Sequence, residues 1–175
     1  MLEEHNNIIK WLFIANAVIF GVGNFARQIY APLLLTIQEA FQINYSLAGL
    51  LMTAAFIGYA LFRFPSGLLS DAVGQIPVIL IANIFFTGSI LLAYLSPNYL
   101  LFLLATFIMG CMSGLYVTAG YSYGTTLGGE EHIGRSTGLL ETFGTAGSIV
   151  APFVVTLFLV WFSWRDVFLL AFLIM

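Results

Sequence analysis

The chain has 175 residues, of which 61% are hydrophobic and 7% are charged, and its formal net charge at pH 7 is −3. Soluble domains carry about 25% charged residues, so this composition indicates an integral membrane protein. The five Lys and Arg residues are spread along the chain and form no basic patch, so no nucleic-acid partner is expected. The single Cys111 excludes an intrachain disulfide.

The amino terminus is predicted to begin a retained membrane helix. Residues 1–4 are acidic where a cleaved signal peptide carries positive charge, and only Lys10 precedes the apolar run. The first predicted helix covers residues 9–35, with Lys10 and Trp11 suited to anchor its first end at the membrane interface. Pro32 is expected to kink this helix near its far end.

Polar side chains mark one face of this first helix. Asn24, Arg27 and Gln28 recur at i, i+3 and i+4, so they share a face. A polar stripe in a membrane helix must face protein or water rather than lipid. Arg27 is therefore a candidate binding residue. The alternative is a packing role in which Arg27 pairs with a carbonyl group or an acid.

The second predicted helix covers residues 46–69, and Tyr59, Arg63 and Ser66 share one of its faces. Because a charge inside an apolar helix is costly, Arg63 marks a candidate functional site; an arginine that reaches back to the interface is the alternative. Arg27 and Arg63 each lie about 25 Å along their own helix. The helices run in opposite directions, which predicts the two arginines nearer opposite membrane faces, as successive stations for an anion.

The third and fourth predicted helices, residues 77–95 and 99–123, carry no charged side chain. A stripe of mainly small residues follows the fourth helix, which is typical of a packing seam at a tight helix contact: Thr106, Gly110, Ser113, Gly114, Val117 and Tyr121. The Glu-Glu-His run in the loop 128–135 suggests a metal site. Three adjacent residues do not converge on one ion without help, so no metal and no other cofactor is expected.

The fifth predicted helix covers residues 136–160 and contains Glu141, a candidate carrier of a coupling proton. The alternative is a carboxylate that simply reaches the interface. Gly147 and Pro152 belong to a seam of small residues that is predicted to pack against another helix. The sixth predicted helix covers residues 165–175. A membrane span needs about 20 residues, so this helix is predicted to be truncated and the chain to be a fragment.

Residues 67–75 resemble the signature Gly-x-Leu-x-Asp-Arg-x-Gly-Arg that joins the second and third helices of the major facilitator superfamily. The matching residues are Gly67, Leu69, Asp71 and Gly74. Ala72 and Gln75 stand where the family usually has Arg, which weakens the charged latch of this loop. Further segments that match the family in order and spacing are 133–138, 147–152 and 164–168. The resemblance covers all 175 residues and corresponds to the amino-terminal half of a twelve-helix transporter.

The resemblance implies an all-α bundle of two inverted three-helix repeats, with the first, second, fourth and fifth helices lining the path. It implies a substrate site near the membrane midplane and transport by alternating access. Within the superfamily, the pattern of an arginine in the first helix and a cation in the second resembles that of porters of organic or inorganic anions, and Arg27 and Arg63 match those positions approximately. The expected partners are a small-molecule substrate, the lipid bilayer and a second half of six helices.

The prediction is therefore the amino-terminal half of a secondary transporter of a small anion, and not an enzyme. The predicted substrate-binding residues are Arg27, Arg63, Tyr59, Asn24 and Gln28. The predicted gating loop contains Gly67, Asp71 and Gly74. A multi-pass protein of the plasma or cell membrane is expected. Its amino terminus is placed in the cytoplasm because Lys10 and Arg135 then lie inside, against Arg165 outside.

Two other functions stay open at this point. A truncated or degenerate half-transporter would be a membrane protein that transports nothing. A rhomboid-like intramembrane serine protease would need the nucleophile motif Gly-x-Ser-Gly, which residues 110–114 miss because they contain one residue too many. A serine nucleophile also needs a base, and no histidine follows His132.

Overall fold

The computed structural model describes residues 2–175, with side chains from residue 7 onward except that of Glu130. Within these residues the secondary structure is helical throughout, without strands, as the sequence predicts. The helices are α1 (Leu2–Gln28), α2 (Tyr30–Phe41), α3 (Tyr45–Val73), α4 (Gln75–Leu95), α5 (Tyr99–Gly128), α6 (Ile133–Phe158) and α7 (Trp164–Ile174). Five segments are long and apolar enough to cross a membrane: Asn7–Phe41, α3, α4, α5 and α6. The all-α membrane fold is thus confirmed.

The first membrane segment consists of α1 and α2 and is longer at both ends than the predicted 9–35. The helix is interrupted at Ile29, about one turn before Pro32. Proline lacks the N–H that would bond to the carbonyl group of residue 28, and its ring crowds that carbonyl group. The disturbance therefore falls on the turn that precedes Pro32.

The connection between α3 and α4 is far shorter than the predicted loop between residues 69 and 77. α3 continues to Val73 and α4 begins at Gln75, so Gly74 alone joins them, with φ at +90°. Only glycine adopts this backbone conformation readily. Asp71 consequently lies in the last turn of α3 and is exposed. The helix continues through residues 70–73 because none of them is glycine or proline.

α5 lies in the interior of the bundle and extends past the predicted end at residue 123. Its glycines allow the backbone of α3 to come into direct contact. A Cβ atom at Gly110 would collide with the backbone of Ala55, and one at Gly114 would collide with the carbonyl oxygen of Tyr59. These glycines therefore fix how closely and at which depth α3 and α5 cross.

The pairing of helices follows the two three-helix repeats. α3 packs along α5 and α1 along α6, where a Cβ at Gly147 would collide with the carbonyl oxygen of Gly21. α4 contacts both α5 and α7, while α7 contacts α1 and α2. When the first three helical units (α1 with α2, α3 and α4) are exchanged for the last three (α5, α6 and α7), every one of these pairings is preserved. The helix contacts thus have the symmetry that two repeats of three helices require.

An aromatic cluster fills the end of the bundle where α2 turns into α3. Its members, with ring centroids 5.0–6.4 Å apart, are Tyr30, Phe41, Tyr99, Phe102, Trp164 and Phe168. Beside it, Arg165 donates hydrogen bonds to the carbonyl oxygens of Tyr94 and Ser96, at 3.1 and 2.7 Å. These carbonyls end α4, so Arg165 caps that helix and ties α7 to it.

Candidate functional site

Charged residues from three different helices line one cavity of about 130 Å³, here called the polar cavity. Arg27 comes from α1, Arg63 from α3 and Glu141 from α6, and α5 closes one wall. The lining residues are Phe20, Asn24, Arg27, Tyr59, Arg63, Val117, Tyr121 and Glu141. The polar faces that the helical periodicity indicated on separate helices therefore meet at a single place.

Neutral hydrogen-bonding partners hold Arg27 in position. Its Nη2 donates to Asn24 Oδ1 at 2.6 Å, and its Nη1 lies 3.5 Å from Ser113 Oγ. Asn24 is buried and donates in turn to the carbonyl oxygen of Phe20 at 2.8 Å, which fixes the orientation of its amide. Because both partners of the guanidinium are uncharged, they orient Arg27 without cancelling its charge.

Tyr59 brings the two arginines together. The guanidinium carbon of Arg27 lies 5.1 Å from the centroid of the Tyr59 ring, and that of Arg63 lies 5.3 Å from the same centroid. Both distances are within the range of a cation–π interaction. The prediction that the arginines lie nearer opposite membrane faces as separate stations is therefore wrong, because both line the polar cavity.

Arg27 and Arg63 lie at similar depths in the bundle because of the position of the turn between α2 and α3. Arg27 precedes the end of α2 at Phe41 by 14 residues, and Arg63 follows the start of α3 at Tyr45 by 18. At ~1.5 Å per residue, the two depths measured from this shared turn differ by only about 6 Å. The predicted end of the first helix at residue 35 was too early and displaced Arg27 toward that membrane face.

Glu141 is held inside the polar cavity by α5. The hydroxyl group of Tyr121 donates a hydrogen bond to Glu141 Oε1. Glu141 thus lines the same cavity as Arg27 and Arg63. Among the described residues that line this cavity, it is the one carboxylate, against two guanidinium groups.

A second cavity, here called the apolar cavity, adjoins the first and has a volume of about 210 Å³. Its lining residues are Arg27, Gln28, Tyr30, Met52, Ala55, Phe56, Tyr59 and Met109. Arg27 and Tyr59 line both cavities, whereas Gln28 lines only this one. The five predicted substrate-binding residues are therefore distributed over two neighbouring cavities that share a wall.

The other predicted site residues lie elsewhere in the bundle. Gly67, Asp71 and Gly74 are at the α3–α4 end and line neither cavity. In place of the charged latch, Gln75 Nε2 lies 2.7 Å from Ser122 Oγ and 3.3 Å from Thr126 Oγ1, so neutral hydrogen bonds hold α4 to α5 there. The predicted helix-packing residues lie at the helix crossings or, for Pro152, half-buried within α6: Gly110, Gly114, Gly147 and Pro152.

The family resemblance implied that α5 lines the path, but sequence reasoning named no binding residue on it. Ser113, Val117 and Tyr121 were attributed to a packing seam, because small residues dominate that stripe. Their i, i+4, i+8 spacing places them on one face, with a hydroxyl group at either end. Two hydroxyl groups on a helix face that also carries glycines were the available signal. Among the residues that the structure describes, no group of three His, Cys, Asp or Glu side chains could hold a metal ion.

A sequence model of the Major Facilitator Superfamily matches residues 10–175. The chain belongs to this superfamily. Over 90% of its length it is 27% identical to the uncharacterized MFS-type transporter YceJ of Bacillus subtilis, covering 40% of that protein. Over 76% of its length it is 30% identical to the L-fucose-proton symporter of Escherichia coli, covering 30% of the symporter.

A third relative is the probable 4-methylmuconolactone transporter of Cupriavidus pinatubonensis, which is 26% identical over 85% of the chain and 36% of that protein. The chain thus spans less than half the length of each of these relatives. Membership in the major facilitator superfamily confirms the resemblance seen in the sequence. It indicates a multi-pass membrane protein of a family whose relatives here are named as transporters.

Proposed function

We propose that the protein is a secondary transporter of a small organic or inorganic anion, which it moves by alternating access. The observation that carries this proposal is the pair of guanidinium groups that line the polar cavity around Tyr59. The side-chain hydrogen bonds of Arg27 go to neutral groups, and Arg63 donates none among the described side chains. Donors directed at a cavity with an excess of positive charge favour an anionic ligand.

Glu141 gives this site a means of coupling to protons. The groups that face it are Tyr121, which donates a hydrogen bond, and the other cavity residues Tyr59, Arg27 and Arg63. Protonation of Glu141 removes the one negative charge and makes the cavity more positive. Proton binding and anion binding then favour each other by the same factor, which suits a protein that carries both together.

Alternating access is proposed from the family and from the rigid helix pairs. The backbone contacts at Gly114 and Gly147 make α3 with α5, and α1 with α6, into units that can rock against a second six-helix half. The proposed gating segment at the α3–α4 end contains Gly67, Asp71 and Gly74. We also propose that the amino terminus is cytoplasmic, which cysteine labelling at an introduced Asn7→Cys would test.

The relatives do not decide the substrate. Their names specify L-fucose with protons in one case and 4-methylmuconolactone in another. The anion is therefore proposed from the charges in the cavity and not from similarity to either protein.

The test is uptake by the complete gene product in proteoliposomes, measured with radiolabelled benzoate, acetate and phosphate. Arg27→Gln is expected to lower anion uptake about 100-fold or more, because two charge-assisted hydrogen bonds to the ligand are lost. Membrane insertion and yield should not change. The control is Arg135→Gln, which removes an exposed charge at the start of α6 and should keep full uptake. Unchanged anion uptake in Arg27→Gln would refute the proposed site.

A further inference from the structure

The two cavities share a charged wall but differ in the chemistry of their other walls. Arg27 and Tyr59 belong to both. On one side of them the polar cavity adds Arg63, Glu141 and Tyr121. A ligand held at the shared wall by Arg27 therefore has the charged and hydrogen-bonding groups of the polar cavity on one side and the apolar cavity on the other.

Beyond this wall the apolar cavity is lined by four side chains that cannot donate hydrogen bonds and by two that can, Gln28 and Tyr30. Met52 and Phe56 come from α3 and Met109 from α5, together with Ala55. Methionine is flexible and polarizable, and it adapts to irregular apolar ligands and contacts aromatic rings favourably. These four apolar side chains suit a hydrocarbon group and offer nothing to replace the hydration shell of an inorganic anion.

The size of the apolar cavity limits what it can hold. An apolar cavity of about 150 Å³ in a protein accommodates benzene, and this cavity has about 210 Å³. One six-membered ring or an equivalent short chain therefore fits.

We infer that the transported anion is an organic carboxylate with an apolar body about the size of one ring. Its carboxylate lies between Arg27 and Arg63, and its body packs against Met52, Phe56 and Met109. This inference rests on the proposed anion transport and selects the organic class within it. A free inorganic anion would use the polar cavity alone and leave the apolar cavity unfilled beside it.

Binding of four probes to the purified complete gene product, by titration calorimetry, tests the inference. The probes are benzoate, acetate, inorganic phosphate and L-fucose. We expect benzoate to bind at least about tenfold more tightly than acetate, because burial of the ring adds apolar contact. Phosphate should bind no more tightly than acetate.

The outcomes separate the inference from the proposed function. Acetate or phosphate binding as tightly as benzoate would overturn the inference and leave anion transport in place. Binding of L-fucose without binding of any anion would overturn both. Absence of binding by all four probes would also overturn the inference.

A matched pair of variants locates the ring. Met52→Gln keeps the length of the side chain but puts an amide into the apolar cavity, so it should weaken benzoate binding about tenfold and leave acetate binding unchanged. Met112→Gln makes the same change at a half-buried methionine of α5 that lines neither cavity, and it should change neither affinity. Equal losses for benzoate and acetate in Met52→Gln would contradict the assigned position of the ring.

Discussion

Two arginine–aromatic arrangements in this bundle look alike and differ in what their arginines bind. The guanidinium carbon of Arg165 lies 4.7 Å from the Trp164 ring centroid and 5.7 Å from that of Phe41, and its Nη1 donates to two carbonyl oxygens at the end of α4. Arg27 and Arg63 lie at similar distances from Tyr59, but they bond to neutral side chains or to none among those described.

The difference shows how to separate a structural arginine from one that is available to a ligand. Contact with an aromatic ring does not distinguish them, because both arrangements have it. What distinguishes them is whether backbone carbonyls already use the donors of the guanidinium group. Arg165 stabilises a helix end, whereas Arg27 bonds to neutral side chains and Arg63 donates to none of the described side chains.

The largest effect on stability is expected at Arg165. Arg165→Gln loses charge-assisted hydrogen bonds to the end of α4, which should lower the free energy of unfolding by about 2 kcal/mol. Arg63→Gln should change it by less than about 0.5 kcal/mol but lower anion uptake at least tenfold. Melting curves of the purified complete gene product, combined with uptake assays, check both. Equal losses of stability in the two variants would contradict the distinction.

A smaller effect, on ligand binding, is expected when Arg27 is given a negatively charged partner with which it can form an ion pair. Asn24→Asp puts a carboxylate where the Asn24 Oδ1 atom now accepts from Arg27 at 2.6 Å. The new carboxylate competes with the anion, so the dissociation constant for benzoate should rise about tenfold. Asn98→Asp makes the same change at the amino-terminal cap of α5, where Asp caps equally well, and should have no effect. Normal benzoate binding by Asn24→Asp would exclude Arg27 as a binding group.

The smallest effect on binding is expected at Glu141. Glu141→Gln should leave benzoate binding equal or tighter, within about threefold, because a negative charge is removed from the polar cavity. Uptake driven by a proton gradient should be lost while exchange of benzoate across the membrane continues. Glu131→Gln, at an exposed position outside both cavities, is the control. Continued proton-driven accumulation in Glu141→Gln would show that another group carries the proton.

The helices and their polar faces could be predicted because their signals are local. Apolar length identified the membrane segments, and the 3.6-residue period placed Asn24, Arg27 and Gln28 on one face. The predictions failed where a boundary depended on more than local pattern. Residues 70–73 continue α3 instead of forming a loop, and the first membrane segment runs on to Phe41.

The sequence by itself determined that this protein is an all-α membrane protein of the major facilitator superfamily with charges inside its helices. Only the tertiary structure decided which charges meet. Arg27 joins Arg63 around Tyr59, and Tyr121 of α5 bonds to Glu141 of α6. These contacts between side chains of different helices depend on the depth at which each helix crosses its neighbour. That depth is set by backbone contacts at glycines and by the position of the turns, which no single helix specifies.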